Sequence, residues 1–238
     1  MTVKENDWIT LHRVRFEMPF DGTGAPLPGP ERAKAWRFYP SSPQNESGMR
    51  SNVSDIWGGF GLYDSRDAAE ADLADMGNLA WIERTVERWH ALAVPINHHG
   101  TTNWRGELSD STLSCAASDP RGRLVVLTSA GYTDPGPEDV PRISDFLTNV
   151  DRVTQFYRSL PGNLAADVFS GAGVDGHDGA TMSIWVDDAA MRAAAYKSGL
   201  HKEQMDRHNL SAMFDRSSWT RARIVASEGY WDGQNPAL

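Results

Sequence analysis

Ala180-Thr-Met-Ser-Ile-Trp-Val-Asp-Asp-Ala-Ala-Met-Arg-Ala-Ala-Ala-Tyr-Lys-Ser-Gly-Leu-His201 is the stretch from which the fold is read. Ala180 to Val186 is apolar and ends in an aromatic residue, as a buried strand does. Asp187 follows as an N-cap, because its side chain can accept a hydrogen bond from the first free amide of a helix. The alanines beyond it predict a helix that carries His201. Positions 190, 194, 201, 205 and 208 fall on one face by the three- and four-residue rule, which gathers Ala190, Ala194, His201, Met205 and His208. Alanines there leave room for a flat ligand where leucines would fill it. Gly199 should loosen the helix just before His201.

Working outward, Asp139 to Leu160 has helical spacing through Ile143, Phe146, Leu147, Val150, Val153 and Phe156. Leu124-Val-Val-Leu-Thr reads as a strand buried on both faces, Ala165 to Ser170 as another, and Ala222 to Ala226 as the closing strand. Gly171-Ala-Gly-Val-Asp-Gly between two of these strands reads as a hairpin turn, since it matches neither a dinucleotide nor an EF-hand loop. The second half is therefore β-α-β-β-α-β. In the first half, Trp8 to Phe20 alternates as a strand and Trp57 to Tyr63 is a glycine-rich strand. Ser65 caps a helix over Arg66 to Met76, a second helical stretch covers Leu79 to Arg88, and Ala91 to Ile96 is a short strand. The Gly- and Pro-rich run from Asp21 and the segment Pro40 to Asp55 are loops, either lids or plain surface.

Two internal echoes suggest duplication. Phe60-Gly-Leu-Tyr-Asp-Ser-Arg-Asp-Ala-Ala parallels Met182-Ser-Ile-Trp-Val-Asp-Asp-Ala-Ala, and Gly100-Thr-Thr-Asn-Trp-Arg-Gly106 parallels Gly229-Tyr-Trp-Asp-Gly233. The same order and near-equal separations, Tyr63 to Trp104 and Trp185 to Trp231, point to an α+β chain of tandem ferredoxin-like repeats packed into an α+β barrel. The halves are residues 1–110 and 120–238, the second carrying His201.

A chain of 238 residues with 40% hydrophobic and 23% charged residues can bury a substantial core without staples, and 9 Trp point to large apolar pockets or interfaces. The net charge of -9 argues against nucleic acid as a partner. One cysteine, Cys115, permits no internal disulfide and fits a reducing compartment. No segment has the ~18 apolar residues of a membrane span and the N-terminus lacks a signal-peptide run, so a cytoplasmic protein is expected. His98-His99 stands at a strand end without a third ligand at zinc spacing. His201 either ligates an iron or sits in water on a helix surface, and the sequence leaves both open. On the first reading, Met182, Phe169, Trp185, Phe214 and Trp219, with Met205, are the apolar walls, and His208 is the catalytic or distal group.

The run Val125-Val-Leu-Thr-Ser-Ala, a helix rich in Phe, a Gly-rich turn, Thr181-Met-Ser-Ile-Trp-Val-Asp-Asp-Ala-Ala-Met-Arg-Ala-Ala-Ala-Tyr and His201 resembles the spheroidene monooxygenase family. The resemblance spans roughly residues 89 to 233. It implies a dimeric α+β barrel holding haem b, with His201 on the iron and oxygen inserted into an apolar small molecule, carotenoid-like or a secondary metabolite. An external electron donor and a homodimer go with it. Where the family carries a run like Trp-Phe-x-Glu-Glu-Leu-Phe-x-Arg-Phe, this chain has Met213-Phe-Asp-Arg-Ser-Ser-Trp-Thr-Arg-Ala-Arg223, so the acidic pair is gone. The alternatives are a haem enzyme that uses iron as a Lewis acid for dehydration or N-O chemistry, a haem or lipid carrier, and a cofactor-independent oxygenase.

Overall fold

Side-chain alternation along eight antiparallel strands organises the molecule. The computed structural model of the chain describes residues 6–22, 27–46, 48–100, 113–132, 135–173, 176–197 and 216–238. The strands are β1 (Trp8–Asp21), β2 (Ala35–Pro40), β3 (Val53–Tyr63), β4 (Thr85–Gly100), β5 (Leu124–Tyr132), β6 (Asn163–Gly173), β7 (Gly176–Trp185) and β8 (Arg216–Gly229). Helix α1 (Arg66–Asp75) joins β3 to β4, α2 (Val140–Arg158) joins β5 to β6, and α3 (Asp188–Arg192) follows β7 and runs into a π-helical turn, Ala193–Lys197.

All strands form one sheet in the order β2-β3-β1-β4-β8-β5-β7-β6. The order within the first half, β2-β3-β1-β4, is repeated in the second as β6-β7-β5-β8, and the halves join along β4 and β8, where Trp89 pairs with Gly229 and Gly100 with Ser218. The outer strands β2 and β6 curl toward each other. Ser41 donates to Asp167 at 2.9 Å across that seam, and Gly58 lies under the Phe169 ring, which a Cβ would strike at 2.4 Å. Ile9 and Leu11 (β1), Phe60 and Leu62 (β3), Val125 and Leu127 (β5) and Ala222 and Ile224 (β8) share one buried cluster with residues of the other strands. The concave face of the curled sheet is thus the main core.

The outer faces of the two halves are covered differently. Over the first half, Phe16, Trp57, Phe38 and Trp81 form a buried aromatic cluster with Leu27, Met76 and Ile82. The Trp36 and Trp81 indoles donate to the carbonyls of Leu27 and Pro28 at 3.1 and 3.0 Å, which pins residues 27–28 onto that face. Beneath Trp36 lies a buried histidine pair: His12 Nδ1 and His90 Nδ1 are 2.9 Å apart, and His12 Nε2 is 2.8 Å from the Thr10 hydroxyl. Over the second half, α2 begins at a proline-containing first turn and ends just before Pro161. It turns Ile143, Leu147 and Thr154 inward. The segment 41–52, read from sequence as either lid or loop, braces this helix. Gln44 Nε2 donates to the Ser144 carbonyl at 3.0 Å, and Arg50 pairs with Asp151.

Several expectations need correction. The stretch Leu79 to Arg88 is not a helix: a 3₁₀ turn at Ile82–Arg84 leads straight into β4, which runs to Gly100 rather than ending at Ile96. Alternation from Trp89 to Ala93 and pairing on both sides outweigh the helix-like spacing. Strand β2 was not anticipated, and among the described residues no helix lies between β1 and β2. Among the described residues, the helix that Asp187 caps is α-helical to Arg192 and π-helical to Lys197, and the rest of the expected helix lies outside them. The π turn then breaks the 3.6-residue phase that placed Ala190, Ala194 and His201 on one face. Among the described residues, no helix is long and apolar enough to cross a membrane.

The histidine pair makes stability pH-dependent. Burial, then the His90 ring, holds His12 well below its usual value of 6.5, and burial, then Arg88, brings His90 down to about 4. The folded state resists protons that the unfolded chain accepts, so the stability these rings confer is whole above pH about 6.5 and is lost as pH falls toward 4. Calorimetric melting of wild type should give a Tm that drops between pH 7 and 4.5. In a His12→Phe/His90→Leu variant the part of that drop due to the pair should disappear; an unchanged pH slope would refute the assignment.

Candidate active-site cleft

The second half keeps an open cleft on its outer face, between the sheet and the layer formed by α2, α3 and the π turn. Its empty space, counted out to its open mouth, is about 1140 Å³. The outward residues of the strands form its floor: Val126, Thr128 and Ala130 on β5, Thr181, Ser183 and Trp185 on β7, Ser217 and Trp219 on β8. Phe146, Val150, Val153 and Tyr157 from α2 and Met191 and Ala195 from α3 and the π turn form its walls. Thr128 sits mid-strand in a strand flanked on both sides, yet its side chain is exposed. The space above it is open because α2 packs mainly over β6.

Trp185 is the fixed point of this site. It is 1% exposed, its indole donates to Ser183 Oγ at 2.9 Å, and the Tyr157 ring meets it edge-on at 5.0 Å between centroids. Burial, then Tyr196, raises the Tyr157 hydroxyl above its usual range, so it stays protonated. Leu124, Val126, Met191, Ala194 and Ala195 pack around the indole. Asp187 caps α3 by accepting from the Ala190 amide at 2.8 Å. Arg221 donates to Asp188 at 3.0 Å and Arg223 pairs with both Asp188 and Asp119, which clamps the start of α3 to β8.

Of the residues singled out from sequence, Trp185 and Trp219 line the cleft. Met182 borders it, but its side chain belongs to the concave core with Leu127 and Ile184, and Phe169 lies wholly in that core beneath Gly58. Strand alternation sends Met182 and Phe169 to the opposite side of the sheet from Trp185 and Trp219. His201, Met205, His208 and Phe214 lie outside the described residues. His98 and His99 point to opposite sides: His98 Nδ1 meets the Thr220 hydroxyl at 2.8 Å, while His99 stacks on Trp219. Among the described residues no cluster of three His, Cys, Asp or Glu could hold a metal.

The α2 side of the cleft was not anticipated. Its apolar stripe was visible, but a stripe that covers a sheet and a stripe that stands off it have the same spacing. The one local signal was the run of small and hydroxyl-bearing residues, Thr128 and Ala130 against Thr181 and Ser183, where a closely covered strand face would carry large aliphatic groups.

No family model matches the chain, and no curated protein matches it in sequence. Among solved structures, an aldoxime dehydratase (OxdRE) in complex with butyraldoxime superposes with a TM-score of 0.63 at 8% identity, covering 99% of this chain and 85% of that one. A second aldoxime dehydratase gives 0.55 at 8% identity, covering 94% and 83%. A monooxygenase from Streptomyces coelicolor in complex with nanaomycin D gives 0.27 at 18% identity over 47% of this chain and 87% of that one, too low to argue from. The chain shares the fold of the two dehydratases.

Loss of the α3 cap tests how the cleft is held. Asp187→Ala should cost about 1 kcal/mol, and with it a Tm fall of about 2–4 °C in a chain of this size, read by calorimetry. A variant that melts with wild type would mean the arginine clamp alone positions α3.

Proposed function

We propose that the chain is a haem-type enzyme that works on an apolar small molecule in the cleft beside Trp185, and that dehydration with N-O cleavage is its chemistry. The observation that carries this is the open, mainly apolar cleft between α2 and the sheet, in a fold shared almost end to end with aldoxime dehydratases. The two halves, residues 1–110 and 120–238, are on this reading ferredoxin-like repeats.

The lining fits the flat apolar face of a porphyrin: Trp185, Trp219, Val126 and Val153 offer broad contact, and Ala195 and Ala130 leave room for it. Among the described residues the lining has no histidine or cation, and its one charged member is Asp167. On the sequence resemblance, His201 would hold the iron of a haem, with Lys202, Arg207 and His208 near it in sequence. A haem held there would supply an iron centre that polarises an N-O group as a Lewis acid, or activates oxygen.

The chain's own residues set the surroundings. The hydroxyls of Thr128, Thr181 and Ser217 can orient the polar end of a neutral substrate, while α2 and the indoles exclude water from it. Dehydration of an aldoxime to a nitrile expels one water and is redox-neutral, so it needs no electron donor. The monooxygenase reading rests on the resemblance of residues 181–196 and requires both oxygen and a donor.

Purified protein loaded with hemin should develop a Soret band that His201→Ala abolishes or shifts. The loaded protein should convert butyraldoxime to its nitrile under anaerobic conditions, with the rate down at least 100-fold in His201→Ala. No Soret band after loading would sink the haem assignment. Turnover that appears only with oxygen and a reductant would move the protein to the monooxygenases.

A further inference from the structure

The cleft does not end at Phe146. A second chamber, about 450 Å³ counted to its opening, continues it along α2 and shares Thr128, Ala130, Phe146, Val150 and Thr181 with it. Its far walls are Tyr132, Leu147, Val168, Ser170, Gly179 and Ala180, and no charged side chain lines it. Ser170 is 1% exposed, and its hydroxyl has no hydrogen-bond partner. A buried hydroxyl left unmade is a cost that native proteins seldom carry without a use. Beside it, Gly179 keeps the floor open: a Cβ there would stand 2.6 Å from Ser170 Cβ. An apolar pocket with a single unanswered hydroxyl is built for a ligand that is apolar along its length and polar at one point.

We propose that this back chamber is a substrate subsite. It takes a short, narrow chain of a neutral substrate, and a hydroxyl or carbonyl on that part of the substrate hydrogen-bonds to Ser170 Oγ. The reacting end then lies in the front compartment next to Trp185. This rests on the reading of the front compartment as the reaction centre. Among the described residues the chamber has no lysine or arginine to pair with an anion, so the group held there is a neutral one. The shared residues Ala130 and Val150 stand at the join and set how far a chain can pass.

Calorimetric titration of the full-length, haem-free protein with 1-butanol, 1-hexanol, 1-octanol and 1,8-octanediol tests this without requiring turnover. Affinity should rise about 3- to 4-fold per methylene along the mono-ols, as each carbon leaves water. Ala130→Leu, or Val150→Phe should the first not fold, should leave butanol binding alone and flatten the rise. Ser170→Ala should weaken 1,8-octanediol about 2- to 10-fold while leaving 1-octanol unchanged or slightly tighter. A flat length series, a series untouched by both plugging variants, or equal effects of Ser170→Ala on the two octyl probes overturns the proposal. The Soret band and butyraldoxime turnover are read on the same wild-type preparation. A length series that holds without either refutes the reaction centre and leaves the chamber a ligand site, whereas turnover with a flat series refutes the chamber.

Discussion

Everything in this fold follows from the requirement that a strand bury one face and expose the other. Once eight strands join in one curled sheet, every second side chain is committed to the concave core, which even takes in a fully buried charge. The Arg13 guanidinium, 0% exposed, donates to Glu87 at 2.5 Å and to Asp232 at 2.7 Å, and its ring neighbour is Trp231. A lone buried cation would be prohibitive; set between carboxylates it ties β1 to β4 and to the C-terminal turn. With the core side filled, any binding site must be made on the convex side from the alternate residues.

That convex side is where the two halves part company. Their strands follow the same order, and the capped joins are alike: Ser65 accepts from the Ala68 amide at 3.2 Å where Asp187 accepts from Ala190. The first half fills its outer face with Trp57, Phe38, Trp81 and Phe16, which stack at centroid distances of 5.2 to 6.3 Å. The second half has Thr128, Ala130, Thr181 and Ser183 under α2. The same strand order with large aromatic residues on one convex face and small or hydroxylated ones on the other leaves space beneath α2 in the second half. On the proposed function, that space is where the chemistry takes place.

What was legible in the sequence was local. The alternation of Trp8 to Phe20, the caps Ser65 and Asp187 and the stripe of α2 each announce themselves within a few residues, because backbone satisfaction and periodicity are short-range demands. The errors came where distant pairing decides. Residues Thr85 to Trp89 can be written on a helix as easily as on a strand, and only pairing with β1, joined by β8 at Trp89, makes them β4. Trp36-Arg-Phe-Tyr emerges from a proline-rich loop with too little alternation to be noticed until β3 pairs with it. For the site, period two was the missing step. Trp185 and Met182 look equally good as walls, yet they are three positions apart on one strand and face opposite sides of the sheet, as an odd separation requires.

The π turn connects this geometry to the segment that follows. Ala193, Ala194 and Ala195 allow the wider helical spacing because a methyl group crowds it little, and the buried pair Ala194 and Ala195 belongs to the Trp185 cluster. Larger residues at these positions would push the turn off the indole and close the mouth above Thr128. An α-helix through the same residues would advance each side chain by a fixed 100°; the π turn inserts an offset of about one residue, so the path of the chain up to Lys197 is set by three alanines. The small residues that looked like room for a ligand therefore act by fixing the backbone that closes the α3 side of the cleft.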